Sequence, residues 1–313
     1  MTDDERDGVR LTSLDQPLGD GLDVTKGDLV DYLDAVADRM VPLLAGRPLS
    51  IKRVRPGQAP FMQRNVSKGA PDWVRTVPMW SEGSHREIAQ VLCDDRRTLL
   101  WLGNQRAVEF HVPFFRAGEG EPTGLVLDLD PPEGADFEVV VRVARLVRRA
   151  LEDSGLQGAV KTSGSKGLHV VVPVGGSPFE DVAAATRALA ARTERLDPEL
   201  ATTAYIKEDR GGRVFVDSTR SGQGTIVAAY SPDPSRPPRV GAGRLGRTRR
   251  RAARGLHRDV RVLPHRMGGR AARAAAAAGR SGGGGTHHPD RPGAGDARGQ
   301  APQAGRAGFD ERE

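Results

Sequence analysis

The stretch that decides the fold runs from Leu125 to Pro131 and reads Leu-Val-Leu-Asp-Leu-Asp-Pro. It combines an apolar run typical of a buried strand with two carboxylates, Asp128 and Asp130, placed two residues apart. Because side chains on a strand alternate between its faces, both carboxylates project from one face. Two like charges this close are unfavourable unless a divalent cation lies between them, and carboxylate oxygens suit Mg²⁺ or Mn²⁺. The stretch is therefore half of a metal site for phosphoryl transfer or, more simply, a strand end followed by an acidic turn.

A third carboxylate ends a second apolar strand, which reads Val214-Phe-Val-Asp217. Two-metal sites for phosphoryl transfer clamp the attacking and leaving oxygens and are commonly built from three carboxylates. Asp217 is therefore the predicted partner of Asp128 and Asp130.

A glycine-rich turn, Ser163-Gly-Ser-Lys-Gly167, separates two short apolar segments that predict strands over 160–162 and 168–172. Such a turn lets backbone N–H groups approach an anion, and Ser163, Lys166 and His169 add donors and positive charge. The pattern differs from the Walker loop because a strand follows it in place of a helix. We interpret it as a triphosphate-binding turn. An ordinary hairpin turn would explain the glycines but not Lys166 and His169 together.

Basic residues come before these strands. A strand predicted over 49–54 carries Lys52 and Arg53, and a Gly/Pro-punctuated loop after it carries Phe61, Arg64 and Lys68. An exposed aromatic among cations can stack on a nucleic-acid end while the cations contact phosphates. The alternative is a solvated charged loop around one core phenylalanine.

The remaining pattern alternates strands and helices, which predicts an α/β fold. Residues 1–23 are charged and predict a mobile leader. Thr25 is the predicted N-cap of a helix with one apolar face from Leu29 to Val41. Further elements are predicted as a strand over 73–80, a short helix over 86–92, apolar segments over 99–104 and 108–112, helices over 137–154 and 178–195, and a strand over 225–230.

Charge is divided unevenly along the 313 residues. Residues 1–236 hold 30 Lys and Arg against 35 Asp and Glu, whereas residues 237–313 hold 17 Arg, no Lys and 6 acids. The sequence pI of about 9.9 therefore describes the tail. The single cysteine, Cys93, allows no internal disulfide, and no run is long and apolar enough for a signal peptide or a membrane span. We expect a cytoplasmic protein, associated with the nucleoid.

Several short motifs, taken in their order along the chain, resemble the primase-polymerase domain of bacterial ligase D, in the archaeo-eukaryotic primase superfamily. They are Gly46-Arg-Pro-Leu-Ser-Ile-Lys-Arg53, Ala70-Pro-Asp-Trp-Val-Arg-Thr-Val77, Leu127-Asp-Leu-Asp-Pro131, Thr162-Ser-Gly-Ser-Lys-Gly-Leu-His-Val170 and Arg213-Val-Phe-Val-Asp217. The resemblance covers roughly residues 24–231. It implies a two-layer α/β fold over 24–236, with a mixed sheet whose catalytic strands resemble the RNA-recognition motif.

The resemblance also implies roles for individual residues. Asp128, Asp130 and Asp217 would hold Mn²⁺ or Mg²⁺, and Ser163, Lys166 and His169 would grip the nucleotide triphosphate. The family has a histidine near the metal and phosphates, and His111 matches its position. Arg210 and Arg220 match positions where the family places basic contacts. The implied function is template-directed addition of nucleotides at DNA ends during non-homologous end joining, beside Ku. No ligase or nuclease pattern is recognisable here, so a separate ATP-dependent DNA ligase is expected.

Lys52, Arg53, Phe61, Arg64 and Lys68 are the candidates for gripping a 5′-phosphorylated DNA end.

Beyond residue 231 the sequence departs from the family pattern. Of the 14 aromatic residues only Phe309 lies beyond Tyr230, and homopolymer runs such as Gly282–Gly285 take over. Codons can be chosen for residues 245–248 and 255–260 that, when read in a frame shifted by one base, encode short motifs of the family. A frameshift near 231–240 is therefore our hypothesis, and a disordered basic tail over 237–313 is the alternative.

Three functions compete on this sequence. The first is a templated nucleotidyltransferase. The second is an inactive relative that still binds DNA ends, because the arginine that family members carry shortly after Tyr-Ser is absent after Tyr230-Ser231. The third is a general basic nucleic-acid-binding module.

Overall fold

The computed structural model describes residues 4–221 and 224–232. Its elements, in chain order, are β1 (Asp4–Arg6), β2 (Val9–Leu11), α1 (Lys26–Leu44), β3 (Ser50–Arg55), β4 (Gln58–Gln63), β5 (Thr76–Ser81), β6 (Arg86–Val91), α2 (Arg96–Asn104), β7 (Ala107–Pro113), β8 (Gly124–Asp130), α3 (Phe137–Glu152), β9 (Ala159–Thr162), β10 (Leu168–Pro173), α4 (Phe179–Leu196), β11 (Ala201–Thr202), β12 (Val214–Asp217) and β13 (Thr225–Val227). A 3-10 helix, Lys207–Arg210, precedes β12.

An antiparallel sheet in the order β13-β7-β3-β4 is formed by three strands of the first half of the chain and by β13, which follows the second half. Helices α1 and α2 share its core, in which Leu29, Leu33 and Phe110 are fully buried. Helix α1 begins where the sequence predicts, because Thr25 forms a capping box with Asp28 in which each side chain accepts a hydrogen bond from the other residue's backbone N–H.

The prediction of a mobile leader over 1–23 is wrong for the residues that the structure describes. Strands β1 and β2 form an antiparallel hairpin, and Val9, Leu11 and Leu18 are buried in the first core. The abundant charges of this segment lie on its outer side, where Arg6 pairs with Asp31 of α1 at 2.7 Å. Apolar residues this sparse give no clear periodicity, so only the tertiary contacts reveal the packing.

The helix predicted over 86–92 is also wrong, because this segment is strand β6. It pairs antiparallel with β5 from Thr76↔Val91 to Ser81↔Arg86. Apolar residues at 88, 91 and 92 mimic helical spacing, but His85 adopts a positive φ of 47° in the connecting turn and reverses the chain into a hairpin.

A five-stranded mixed sheet in the order β11-β12-β8-β10-β9 carries the second half. Strands β11 and β12 run parallel, and the other pairs are antiparallel. Helices α3 and α4 cover one face, where Leu127, Leu129 and Val216 join their core. On the opposite face Val126 packs into the first core. Asp128 and Asp130 follow Val126 along that face, so they lie where the strand leaves this core.

Within the described residues, no helix has the length and apolar character needed to cross a bilayer. The predicted tail over 237–313, with the frameshift hypothesis, lies outside the described residues.

Candidate active site

Four polar side chains form one row across the mixed sheet. Asp217 on β12 and His169 on β10 both lie opposite Asp128 on β8, and Lys161 on β9 lies opposite His169. Directly opposed residues of antiparallel strands project from the same face, so all four share the face turned away from α3 and α4. Asp130 lies two residues along β8 on that face. The sheet therefore brings the three predicted carboxylates together.

Two cationic or potentially cationic groups contact these carboxylates. Arg220 Nε lies 3.5 Å from Asp217 Oδ2 and 3.8 Å from Asp128 Oδ2, and His169 Nε2 lies 3.3 Å from Asp128 Oδ1. The backbone N–H of Thr219 donates to Asp217 Oδ1 at 2.7 Å. Asp128, Asp217 and His169 are buried, whereas the Arg220 side chain is 48% exposed. Arg220 is thus the half-exposed partner of two buried carboxylates.

The neighbouring cationic groups do not fully compensate the carboxylates of this row. His169 Nε2 lies near Asp128 Oδ1 but does not form a hydrogen bond with it, so Asp128 Oδ1, like His169 Nδ1, is buried without a hydrogen-bond partner, which is unfavourable for a polar atom. Burial, and next the charge of Asp128, raise the pKa of Asp130, although Arg210 and Arg220 oppose the shift. A divalent cation would relieve both features, and carboxylates are the donors that Mg²⁺ and Mn²⁺ prefer. The donor set therefore fits such an ion.

The described ranges 4–221 and 224–232 contain no group of three or more His, Cys, Asp or Glu already arranged to hold a metal. Arg220 contacts both Asp128 and Asp217, so its guanidinium compensates part of their charge. Metal entry would require Arg220 to move.

The glycine-rich turn is organised by one serine hydroxyl. Ser163 Oγ accepts hydrogen bonds from the N–H groups of Gly167 at 3.1 Å and Ser165 at 3.4 Å, while Ser163 N–H donates to the Gly167 carbonyl at 3.0 Å. Gly164 has a φ of +93°, a conformation that side chains disfavour. Lys166 is exposed at the tip. The predicted turn between two strands is confirmed, and the Ser163 hydroxyl is engaged in hydrogen bonds within the turn.

A cavity of about 340 Å³ adjoins the turn and the end of β8. Its lining includes four cations, Lys166, Lys207, Arg210 and Arg213, against two acids, Asp130 and Glu133. Such an excess of positive charge favours a polyanion beside the carboxylates. Sequence reasoning missed Lys207 and Arg213, because Lys207 lies in an ordinary charged run, Lys-Glu-Asp-Arg, and only the fold turns it toward Lys166.

Arg210 is held in this cavity by backbone contacts and by an aromatic ring. Its guanidinium lies 3.9 Å from the centroid of the Phe215 ring and donates to the carbonyls of Ala204 at 3.2 Å and Tyr205 at 3.0 Å. Phe215 lies opposite Asp130 across β12 and β8, which explains why the charge of Arg210 partly opposes the rise in the pKa of Asp130.

Lys161 is the other residue of the row that sequence reasoning missed. Burial lowers the pKa of its ammonium group to about 8, and the charge of Asp128 only partly opposes that shift. The signal available in the sequence was the strand period, since Lys161 lies two residues before Ser163.

His111 lies on β7, in the other sheet, and contacts a different acid. Its Nε2 is 2.9 Å from Glu109 Oε2, and Lys52 Nζ is 2.9 Å from Glu109 Oε1. The hydrogen bond from His111, together with Lys52, holds the pKa of Glu109 below its usual range despite burial. The structure therefore places His111 with Lys52, and the predicted nucleotide contact of His111 stays a prediction.

Arg53 differs from the other predicted DNA contacts because its side chain is turned inward. Its guanidinium donates to Gln105 O and Gln63 Oε1, both at 2.6 Å, and to Gln105 Oε1 at 3.2 Å, and burial lowers its pKa to about 10. A phosphate contact would require these bonds to break, so this arrangement corrects the expectation that Arg53 is presented to DNA.

The remaining DNA candidates are more accessible. The Phe61 ring, on β4, lies beneath the guanidinium groups of Arg53 at 5.6 Å and Arg55 at 5.4 Å. Arg64 and Lys68 are exposed on the segment after β4. Phe61, predicted in a loop, thus belongs to a strand and is partly buried beneath cations.

A second, larger cleft of about 1010 Å³ also reaches the candidate site. Its lining includes Arg64, Trp80 of the β5–β6 hairpin, Phe179 at the start of α4, and Arg220. Because Arg220 also contacts Asp128 and Asp217, this cleft and the carboxylate row share a side chain.

Comparison with known proteins gives consistent matches. The family model described as the LigD primase-polymerase domain matches residues 25–243. The multifunctional non-homologous end joining DNA repair protein LigD of Mycobacterium tuberculosis strain H37Rv is 38% identical over 239 residues, which cover 71% of this chain and 31% of that protein. The bifunctional non-homologous end joining protein LigD of Bacillus subtilis is 34% identical over 228 residues, covering 71% of this chain and 36% of that protein.

Among solved structures, the polymerase domain of Mycobacterium tuberculosis ligase D in complex with DNA matches with a TM-score of 0.66 and 34% identity, covering 71% of this chain and 82% of that chain. This likeness confirms the mixed α/β fold class predicted from the sequence. The chain spans about a third of the length of the curated relatives it matches.

Proposed function

Because the chain belongs to the LigD primase-polymerase family, we propose that it is a template-directed nucleotidyltransferase that adds nucleotides to the 3′ end of DNA during end joining. The family implies an enzyme of the nucleotidyltransferase type. The observation that carries the specific proposal is the position of the carboxylate row, Asp128 and Asp217, beside a cavity lined by four cations. Metal-binding carboxylates next to a polyanion site are the parts that phosphoryl transfer needs.

We propose that Asp128, Asp130 and Asp217 hold Mn²⁺ or Mg²⁺. When bound, such ions supply charge stabilisation at the attacking 3′-hydroxyl and the leaving pyrophosphate. The protein's own contribution is to fix the carboxylates on adjacent strands, so that little reorganisation is needed at the moment of reaction.

The cationic cavity holds and orients the triphosphate in this scheme. Lys166 and Lys207 bind phosphate oxygens as point charges, and Arg210 offers a planar guanidinium already fixed by Phe215. His169 is buried beside Asp128, with its Nε2 3.3 Å from Asp128 Oδ1, so it links the carboxylate row to the strand that follows the turn of Lys166. These groups align the reacting phosphorus with the primer end.

The proposed macromolecular partners follow from the family. The structural relative is a polymerase domain in complex with DNA. We propose that this chain binds duplex ends or gaps carrying a 5′-phosphate, with nucleoside triphosphates as substrates. Ku and an ATP-dependent DNA ligase are the proposed protein partners in end joining.

Primer extension tests the proposal directly. The purified chain is incubated with a primer, a template carrying a 5′ overhang, Mn²⁺ or Mg²⁺, and each nucleotide singly, as ribonucleotide and as deoxynucleotide. Addition that follows the template base supports the proposal. Binding of DNA ends without any addition, under all of these conditions, would favour the alternative of a relative that binds ends without catalysis.

Lys166 and His169 are expected to act chiefly on nucleotide binding. Changing either residue to Ala removes a group proposed to contact the triphosphate, and charge-assisted hydrogen bonds contribute about 1.5–3 kcal/mol each. The apparent KM for nucleotide should rise about 10-fold or more, while DNA affinity changes little, as steady-state kinetics and a DNA-binding titration will show. Arg187→Ala, an exposed arginine on α4, is the control. A larger loss of DNA affinity than of nucleotide affinity would assign the turn to DNA.

Arg64 and Lys68 are expected to recognise the 5′-phosphate. The double change Arg64→Ala with Lys68→Ala should abolish any preference for 5′-phosphorylated over unphosphorylated duplex ends, because exposed cations bind phosphate chiefly through charge. Competition binding at fixed salt measures the preference. Equal binding of both kinds of end by the unaltered chain would remove this role.

A further inference from the structure

We propose that the cleft between the β5–β6 hairpin and α4 binds an unpaired nucleotide by stacking its base on Trp80. This inference rests on the proposed function, which it deepens by assigning a site for single-stranded nucleic acid next to the carboxylate row. The exposure of Trp80 is the first observation. Its side chain is 60% exposed, whereas Trp101 is buried and Trp73 lies 3.9 Å beneath the guanidinium of Arg97. Of the three tryptophans, only Trp80 offers an open face to a ligand.

The cleft has the size and lining of a ligand site. Its volume of about 1010 Å³ lies at the upper end of the roughly 300–1,000 Å³ that ligand pockets occupy. Met79 and Ile88 of the hairpin line it together with Trp80, and Phe115 and Phe179 line it from other elements. Aromatic and thioether side chains of this kind suit the flat apolar face of a base.

The charges of the cleft favour a base over a phosphate backbone. Two cations, Arg64 and Arg220, line it against three acids, Glu82, Glu119 and Glu180. A duplex presents two phosphate chains and needs an excess of cations, which this cleft does not have. Stacking of bases on an aromatic ring needs no such excess and is tolerant of sequence. One unpaired strand, which presents a single phosphate chain and bases free to stack, fits the lining better.

Arg64 and the hairpin are tied to one another by the backbone. Asn65 Oδ1 accepts a hydrogen bond from Ala89 N–H at 3.0 Å, and Val66 N–H donates to the Ala89 carbonyl at 2.7 Å. Ala89 belongs to β6, which pairs with the strand of Trp80. The residue that follows Arg64 is therefore fixed to the hairpin, so Arg64 and Trp80 lie on two segments that are hydrogen-bonded to each other.

The cleft also leads to the site of nucleotide addition. Arg220 lines it and lies within 3.5 Å of Asp217 and 3.8 Å of Asp128. A strand whose base stacks on Trp80 is thus continuous with the carboxylate row. This continuity favours nucleic acid over an apolar peptide as the occupant.

Tryptophan fluorescence tests the site without relying on activity. The full chain is titrated with a single-stranded thymidine oligonucleotide and with a blunt duplex of equal length, at fixed salt. Single strand should quench the emission of Trp80, and the blunt duplex should quench it much less. Trp80→Leu should remove this quenching and weaken single-strand binding about 10-fold, the loss expected when one stacked base is lost. Trp80→Phe, which keeps an aromatic face, should retain most of the affinity.

The outcomes separate this inference from the proposed function. Equal single-strand affinity of Trp80→Leu and the unaltered chain, or no quenching by any oligonucleotide, would overturn it. An equal loss for single strand and blunt duplex would also overturn it, because the site would then not select unpaired bases. An inactive chain that still shows Trp80-dependent quenching would contradict only the proposed function.

Discussion

Replacing Asp128 with Asn is expected to lower the rate of nucleotide addition by ~10² or more, because one charged ligand is lost from the proposed metal site. Asp128 is the central member of the row, since both Asp217 and His169 lie directly opposite it. Asn keeps the size of the side chain and one oxygen, so the loss reports charge and coordination more than packing. Single-turnover extension at saturating nucleotide measures it.

The same change is expected to leave the fold intact. Asn removes the repulsion between Asp128 and its two carboxylate neighbours, but it also removes the contacts of Asp128 with Arg220 and His169. These contributions oppose each other, so the midpoint of thermal unfolding should change by only a few degrees. Asp153→Asn, an exposed acid paired with Arg192, is the matched control and should keep full activity. Unchanged nucleotide addition by Asp128→Asn would remove the metal-ligand assignment.

Local sequence rules were sufficient where a residue's role depends on its own strand or helix. The two-residue period places Asp128 and Asp130 on one face whatever lies beside the strand. The capping box likewise depends only on two residues three positions apart, Thr25 and Asp28, whose backbone N–H groups each donate to the other's side chain, and it begins α1 as predicted. The turn from Ser163 to Gly167 is similar, because its hydrogen bonds all lie within five residues.

Features that depend on a distant partner could not be predicted from the sequence. Lys207 carries no local signal, and the strand period of Lys161 does not say which strand lies beside it. Both residues join the site only because β9 pairs with β10 and the 3-10 helix lies by the end of β8. Arg53 has the composition of a phosphate contact, but Gln63 and Gln105 turn it inward. The apolar residues of a short charged segment such as 86–91 fit the spacing of a helix and of a strand equally well. Its pairing with β5 makes it a strand.

Replacing Gly167 with Ala is expected to damage both stability and catalysis. A Cβ at this position would overlap the backbone carbonyl oxygen of Leu129, with Ser163 Oγ close on another side. Leu129 lies between Asp128 and Asp130 and is buried near the end of β8. A backbone atom paired in a sheet cannot rotate away as a side-chain end can, so strands β8 and β10 must separate locally. Overpacking of this kind typically costs about 1–3 kcal/mol of the free energy of unfolding.

The catalytic loss should exceed what that destabilisation alone would cause. Gly167 precedes β10, whose second residue, His169, lies opposite Asp128, and Gly167 N–H donates to the Ser163 hydroxyl that organises the turn. A shift here therefore moves His169 against Asp128 and loosens Lys166 together. Denaturant unfolding and nucleotide KM are measured at a temperature where the variant is folded. Gly175→Ala is the control. Gly175 lies just after β10, has no positive φ, and leaves open space for an added Cβ, so this change should be near neutral. If Gly167→Ala matches Gly175→Ala in stability and in KM, the close approach of β8 and β10 does not set the geometry of the site.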